Sequence, residues 1–327
     1  MMQRIGIAIG AGLAAALLFA VTTKGTALAL LLASLAPLPI VIATLGWGID
    51  MGALAVLVAG VVAFVIIDPL LAVAQFAAAI ALPAWALSFL SLLPRERLFQ
   101  RGAQNDGAAW FPVGGIVACA ALIGGFFGAV SLVSMALAYG GYGKGVDALV
   151  AESSPNFKEA LDGVTALPTG MSIEDFASIA VRLTPAILAV LIYLMLCANL
   201  YLGARAVRLS QRLKRPWPNL PEALVLPQFL SAGLIACIGL SLALHGAPAH
   251  LAWIGVGVLG CAYVTQGLAV VHSLTRGLPA RTPMLVAIYL ASMVTAPLSV
   301  PALMIVGLVE GLLSLRARRA AAANVKS

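Results

Sequence analysis

Charge is what this sequence has least of. Only 9% of its residues are Asp, Glu, Lys or Arg, where a soluble domain carries about a quarter. A chain so poor in charge lacks the polar surface needed to cover a water-facing globule. The strict apolar–polar alternation of a membrane β-barrel is missing too. Histidine is scarce, with His245, His250 and His272 scattered at the ends of apolar runs. There is no HExxH, no GxSxG and no pair of carboxylates inside an apolar run, so the common hydrolytic and metalloenzyme signatures are excluded. Gly143-Lys144 superficially matches a phosphate-binding loop, but Ala138 stands where that loop needs Gly and Gly145 where it needs Ser or Thr. The cysteines Cys119, Cys197, Cys237 and Cys261 each lie within an apolar run and none forms a CxxC. They read as small buried hydrophobes, not as metal ligands or disulfides. Neither an enzyme nor a cofactor-binding protein is expected.

What the chain does have is apolar length. It is 62% hydrophobic with a mean hydropathy of +1.06, and runs of about 18 or more residues without charge recur along it. Peptide groups inside a bilayer have no water to bond, so such runs must be helices. The fold class is therefore all-α: a polytopic transmembrane helical bundle of about ten spans, one integral membrane domain over 1–327. The expected spans are 5–21, 26–45 (interrupted by Pro37 and Pro39), 51–67, one ending near 93, 113–139, 179–202, 223–244 and 251–271. Arg4 precedes the first run as in a signal peptide, but no small-x-small cleavage site follows, so a retained helix is expected. The last apolar stretch, 284–315, is expected to be a short hairpin turning near Pro297 and Pro301, crossing or re-entrant.

Orientation follows from the basic residues. With both termini cytoplasmic, most of the 19 Lys and Arg residues fall on one side, as the positive-inside rule asks. The expected setting is a bacterial inner membrane. Residues 205–222 become a basic cytoplasmic loop in which Arg205, Arg208, Arg212, Lys214, Arg215 and Trp217 contact anionic lipid or a cytoplasmic partner. The net charge of +7 is thus a topology signal, and no nucleic acid is expected. Residues 140–179 become an acidic extracytoplasmic segment holding one or two short amphipathic helices. Ser154-Pro155 reads as one helix start, and Ser172 with Asp175 as a capping box with Asp in place of Glu.

Two constellations invite a function. Ala8, Gly12, Ala16 and Ala20 recur every four residues, a stripe suited to close helix packing inside the bundle or to docking a membrane partner. Polar groups inside spans need an interior partner or a water-filled cavity; Asp68, Gln75, Asn199, Gln266 and Glu310 are the candidates, with Tyr263 beside them. They could line a small pocket opening to the outer face beneath 140–179, or serve separately as caps, ion pairs and interhelical hydrogen bonds.

Four segments, LAPLPIVIATLGWG at 35–48, WFPVGG at 110–115, KRPWPNL at 214–220 and VVHSLTRGLPAR at 270–281, resemble the alphaproteobacterial branch of the YybS-like predicted membrane proteins. The first 95 residues are more distantly similar to the S components of energy-coupling-factor vitamin transporters. That resemblance implies a small-molecule binder, and a coupling subunit with ATPases docking on Ala8, Gly12, Ala16 and Ala20. A transporter-like protein is the leading expectation, a non-transporting scaffold the alternative, with oligomeric state open.

Overall fold

The computed structural model describes residues 1–67, 70–94, 110–161, 171–313 and 316. Apart from a single bridge between Pro94 and Trp110, its regular structure is helical. Eight helical stretches are long and apolar enough to cross a bilayer. They are α1 (Met2–Ala20) with a 3-10 turn to Lys24, α2 (Ala27–Ser34) running into α3 (Pro37–Trp47), and α4 (Ile49–Ile66). Next come α5 (Leu70–Phe76) joined by a π turn, Ala77–Ala81, to α6 (Leu82–Ser91), and α7 (Val113–Ala138). The last three are α9 (Ile173–Leu209), α12 (Ala247–Leu274) and α14 (Ala296–Leu313). Two shorter apolar helices, α11 (Phe229–Ala243) and α13 (Arg281–Val294), complete the set; α8 (Tyr142–Leu161) and α10 (Leu220–Ala223) are not spans.

Small residues decide which helices touch. Gly12 faces α4 so closely that a Cβ there would sit 2.6 Å from the Ala55 carbonyl oxygen. Ala8, Ala15 and Ala16 from α1 and Ala55, Ala59 and Ala63 from α4 are fully buried in the N-terminal core. A second core joins α6, α7, α9, α11 and α12 around Tyr193, Leu234 and Tyr263. Helix α9, 37 residues long and so about 55 Å at 1.5 Å per residue, belongs to both: Leu196 packs in one core and Val207 in the other. Outward faces carry Leu57, Val61, Phe64 and Val65, each more than 60% exposed. An apolar outer belt of this kind is suited to lipid, not water.

Several local expectations change. The Ser172–Asp175 capping box is present, and it starts α9 at Ile173, six residues before the expected span. Ser154-Pro155 does not start a helix: the Ser154 hydroxyl donates to Val150 O within one continuous α8, an arrangement that satisfies it locally. Within the stretch 223–244 the long helix begins only at Phe229, because Pro227 disfavours helix at Leu226 and Leu224–Pro227 is not helical. The last stretch breaks at Thr295, two residues before Pro297, which sits in the first turn of α14, where its missing amide has no intrahelical partner to lose.

Candidate functional site

Helix α9 ends in a Schellman motif: Arg212 N donates to Val207 O at 3.1 Å and Gln211 N to Arg208 O at 2.9 Å, with Gln211 at φ 55°. The reversal turns the basic loop back over the end of the bundle. Beneath it lies a cavity of about 300 Å³. Helix α7 lines it with Val113, Ile116, Val117 and Ala120, and α9 with Cys197, Leu200, Tyr201 and Ala204. Each set follows i, i+3, i+4, i+7, one helix face over two turns. The cavity therefore runs about 10 Å along both helices. Leu45 of α3 and Leu87 and Ser91 of α6 add walls, Thr265 of α12 lies deep, and Leu213, Arg215, Trp217 and Pro218 form the cover.

The cover is held by aromatic and cationic contacts. Trp217 meets Tyr201 edge-on with centroids 5.8 Å apart, and Arg208 lies 4.9 Å above the Trp217 ring. Arg205 donates to the Tyr201 hydroxyl at 3.1 Å, and Arg212 stacks 5.0 Å from the Trp47 centroid. Arg215 donates to Ser91 O at 3.2 Å, at the C-terminus of α6, where the helix dipole favours a cation. Burial pulls its pKa below the usual guanidinium value. Lys214 is exposed beside it.

The polar residues singled out from sequence do not line this cavity: Gln266, Tyr263 and Glu310 gather where α12 and α14 meet the chain at 221–226, while Asn199 and Gln75 lie apart from them. Gln75 is exposed on α5. Asn199, 2% exposed, donates to Ser34 O at 2.8 Å and Met195 O at 2.7 Å, tying α9 to α2. Gln266 accepts from Leu226 N and donates to Gly307 O, both at 2.6 Å. Tyr263 shares a hydrogen bond with Ser231 at 2.7 Å. Glu310 pairs with Arg316 at 2.8 Å, both nearly buried, and Arg316 donates on to the carbonyls of Pro221 and Leu224. Asp68 lies outside the described residues. In the stripe, Ala8, Gly12 and Ala16 are buried and Ala20 is half-buried, with α4 covering the face.

Sequence reasoning missed the cavity-lining faces of α7 and α9, since apolar residues there look like those of any span. A signal was nevertheless present. Three of the four segments quoted for the family resemblance supply lining: Leu45 from the first, Val113 from the second, and Arg215, Trp217, Pro218 and Leu220 from the third. Among the described residues no group of three or more His, Cys, Asp or Glu could hold a metal ion.

Apolar helices of this length with a lipid-suited belt define a multi-pass integral membrane protein. The chain belongs to the family described as predicted membrane protein (DUF2232), whose model spans residues 13–310. No curated protein and no solved structure matches the chain.

Proposed function

We propose that this is a transporter-like protein of a bacterial inner membrane that takes up a small, apolar-bodied molecule in the cavity beneath 211–218. The single observation behind this reading is the cavity itself, an apolar space of about 300 Å³ inside the bundle, of the size at which ligand pockets begin. Orientation in this reading puts the basic end in the cytoplasm. The contacts of Arg4 with Trp47, Arg212 with Trp47, and Arg276 and Arg316 with 221–224 gather both ends of the chain and the basic loop on that side, consistent with ten crossings that include short α11 and α13. The cavity then opens inward, not beneath 140–179.

The protein acts as a binder or carrier without catalysis. Energy coupling requires separate subunits, and with the Ala8–Gly12–Ala16 face covered by α4 they must dock elsewhere. Native mass spectrometry of the chain released from nanodiscs tests the reading. A retained small molecule, lost on Ala120→Phe while the thermal midpoint holds, is the expected result. Identical spectra for both proteins, with lipid adducts alone, would replace it with the scaffold reading.

A further inference from the structure

We propose that the cavity accommodates a single-chain anionic amphiphile, with its hydrocarbon tail between α7 and α9 and its anionic head against Arg215 at the mouth. The inference rests on the cavity-binding reading above and names the ligand class.

The deep end asks for hydrocarbon. Its polar atoms are already engaged: Thr265 donates to Cys261 O at 3.0 Å and shares a hydrogen bond with Tyr193 at 2.8 Å. Ser91 Oγ, nearer the mouth, donates to Ser88 O at 2.7 Å. A polar ligand pushed to that depth would leave its own groups unpaired, whereas a tail forfeits nothing there. The cavity's length of about 10 Å and its modest volume suit one chain.

The mouth asks for an anion. The carboxylates described at this end are committed to other cations: Asp50 to Arg4 at 3.7 Å, Glu222 to Arg276 at 2.6 Å and Glu310 to Arg316 at 2.8 Å. Among the described residues no carboxylate pairs with Arg205, Arg208, Arg212 or Arg215. The first three sit at the rim against Tyr201, Trp217 and Trp47, where the positive-inside rule alone accounts for them. Arg215 differs, because it belongs to the cavity lining at the mouth, in the cover formed with Leu213, Trp217 and Pro218. Its one carbonyl partner leaves most of its five N–H donors free for a phosphate or carboxylate. Arg215 is half-buried, and an anionic head would offset the partial desolvation of a cation that has no counter-ion among the described residues.

The test is equilibrium binding to the full chain in zwitterionic-lipid nanodiscs, with radiolabelled decyl phosphate, decanol and inorganic phosphate as probes. Saturable binding of one decyl phosphate per chain is expected, weakened at least tenfold by Arg215→Gln, restored by Arg215→Lys and little changed by Lys214→Gln, a change at an exposed neighbour. Decanol should bind more weakly, inorganic phosphate not measurably, and Ala120→Phe should abolish binding of both chain-bearing probes. Equal binding of decanol and decyl phosphate, indifferent to Arg215→Gln, would overturn the anionic head while leaving the cavity reading standing. Equal losses from Lys214→Gln and Arg215→Gln would mark adsorption to a charged surface and overturn the site. Binding of neither chain-bearing probe would remove both readings.

Discussion

The Gln266 carboxamide bridges two backbones, accepting the Leu226 amide and donating to the Gly307 carbonyl, each at 2.6 Å. Leu226 belongs to the non-helical Leu224–Pro227 segment, where its amide has no i−4 carbonyl partner and takes the Gln266 side chain instead. In a bilayer an unsatisfied peptide group needs a partner from the protein, and Gln266 is that partner. Gln266→Leu leaves one donor and one acceptor buried, so stability should fall by about 1–3 kcal/mol. Denaturant titration in mixed micelles measures it. Because Leu224 of this segment and Leu220 of the adjoining α10 line the cavity, ligand binding should weaken in parallel; a neutral effect on both would show that the segment is held by other contacts.

The same segment is pinned a second time. Arg316 ties Glu310 to the carbonyls of Pro221 and Leu224, with side-chain exposures of 9% and 5% for the pair. Arg316→Ala strands a buried carboxylate, which typically costs about 3–5 kcal/mol. The double variant Arg316→Ala/Glu310→Gln removes the charge with its partner and should recover a good part of that loss. Thermal melts of the wild type, the two single variants and the double variant decide the matter. If the double variant is no better than Arg316→Ala, the carbonyl contacts outweigh the ion pair.

Neighbouring glycines of α1 should behave differently. A Cβ at Gly12 would press on Ala55 and Val58, whereas one at Gly10 meets nothing within 4 Å. Gly12→Leu should force α1 from α4 and cost several kcal/mol, in line with overpacking of a tight core, about 1–3 kcal/mol or more. Gly10→Leu should be tolerated, since it faces outward. Detergent-extracted monodisperse yield and melting midpoint report both; equal tolerance would mean that α1 is loosely held.

Much of the fold was legible because hydrocarbon demands long apolar helices, and the spans could be read within a few residues where no proline intervened. The Ser172–Asp175 box was readable for the same local reason, a side chain three residues from the amide it caps. Pro227 was visible too, but its effect depended on Gln266 and Arg316, far away in sequence, being there to satisfy the unwound backbone. The site was less legible. Gln75, Asn199 and Gln266 were conspicuous because polarity is rare in spans, yet Asn199 and Gln266 make helix-to-helix hydrogen bonds. The cavity arises from an imperfect fit between two ordinary apolar faces, Val113–Ala120 and Cys197–Ala204, and volume left between helices has no mark in either helix alone.

Orientation is the remaining structural expectation with a direct experiment. Gln211, exposed at the end of α9, and Ala151, exposed on α8, sit at opposite ends of the bundle. Cysteine placed at either can be read with a membrane-impermeant maleimide in a background lacking the four native cysteines, all partly buried within apolar helices. The excess of Lys and Arg in the 205–215 stretch predicts that this end stays on the side of synthesis, because translocating short basic loops is disfavoured. Ala151→Cys should label in intact cells, and Gln211→Cys only after permeabilisation. The reverse pattern would turn the cavity mouth outward, so that Arg215 would meet its anionic ligand from the extracytoplasmic side.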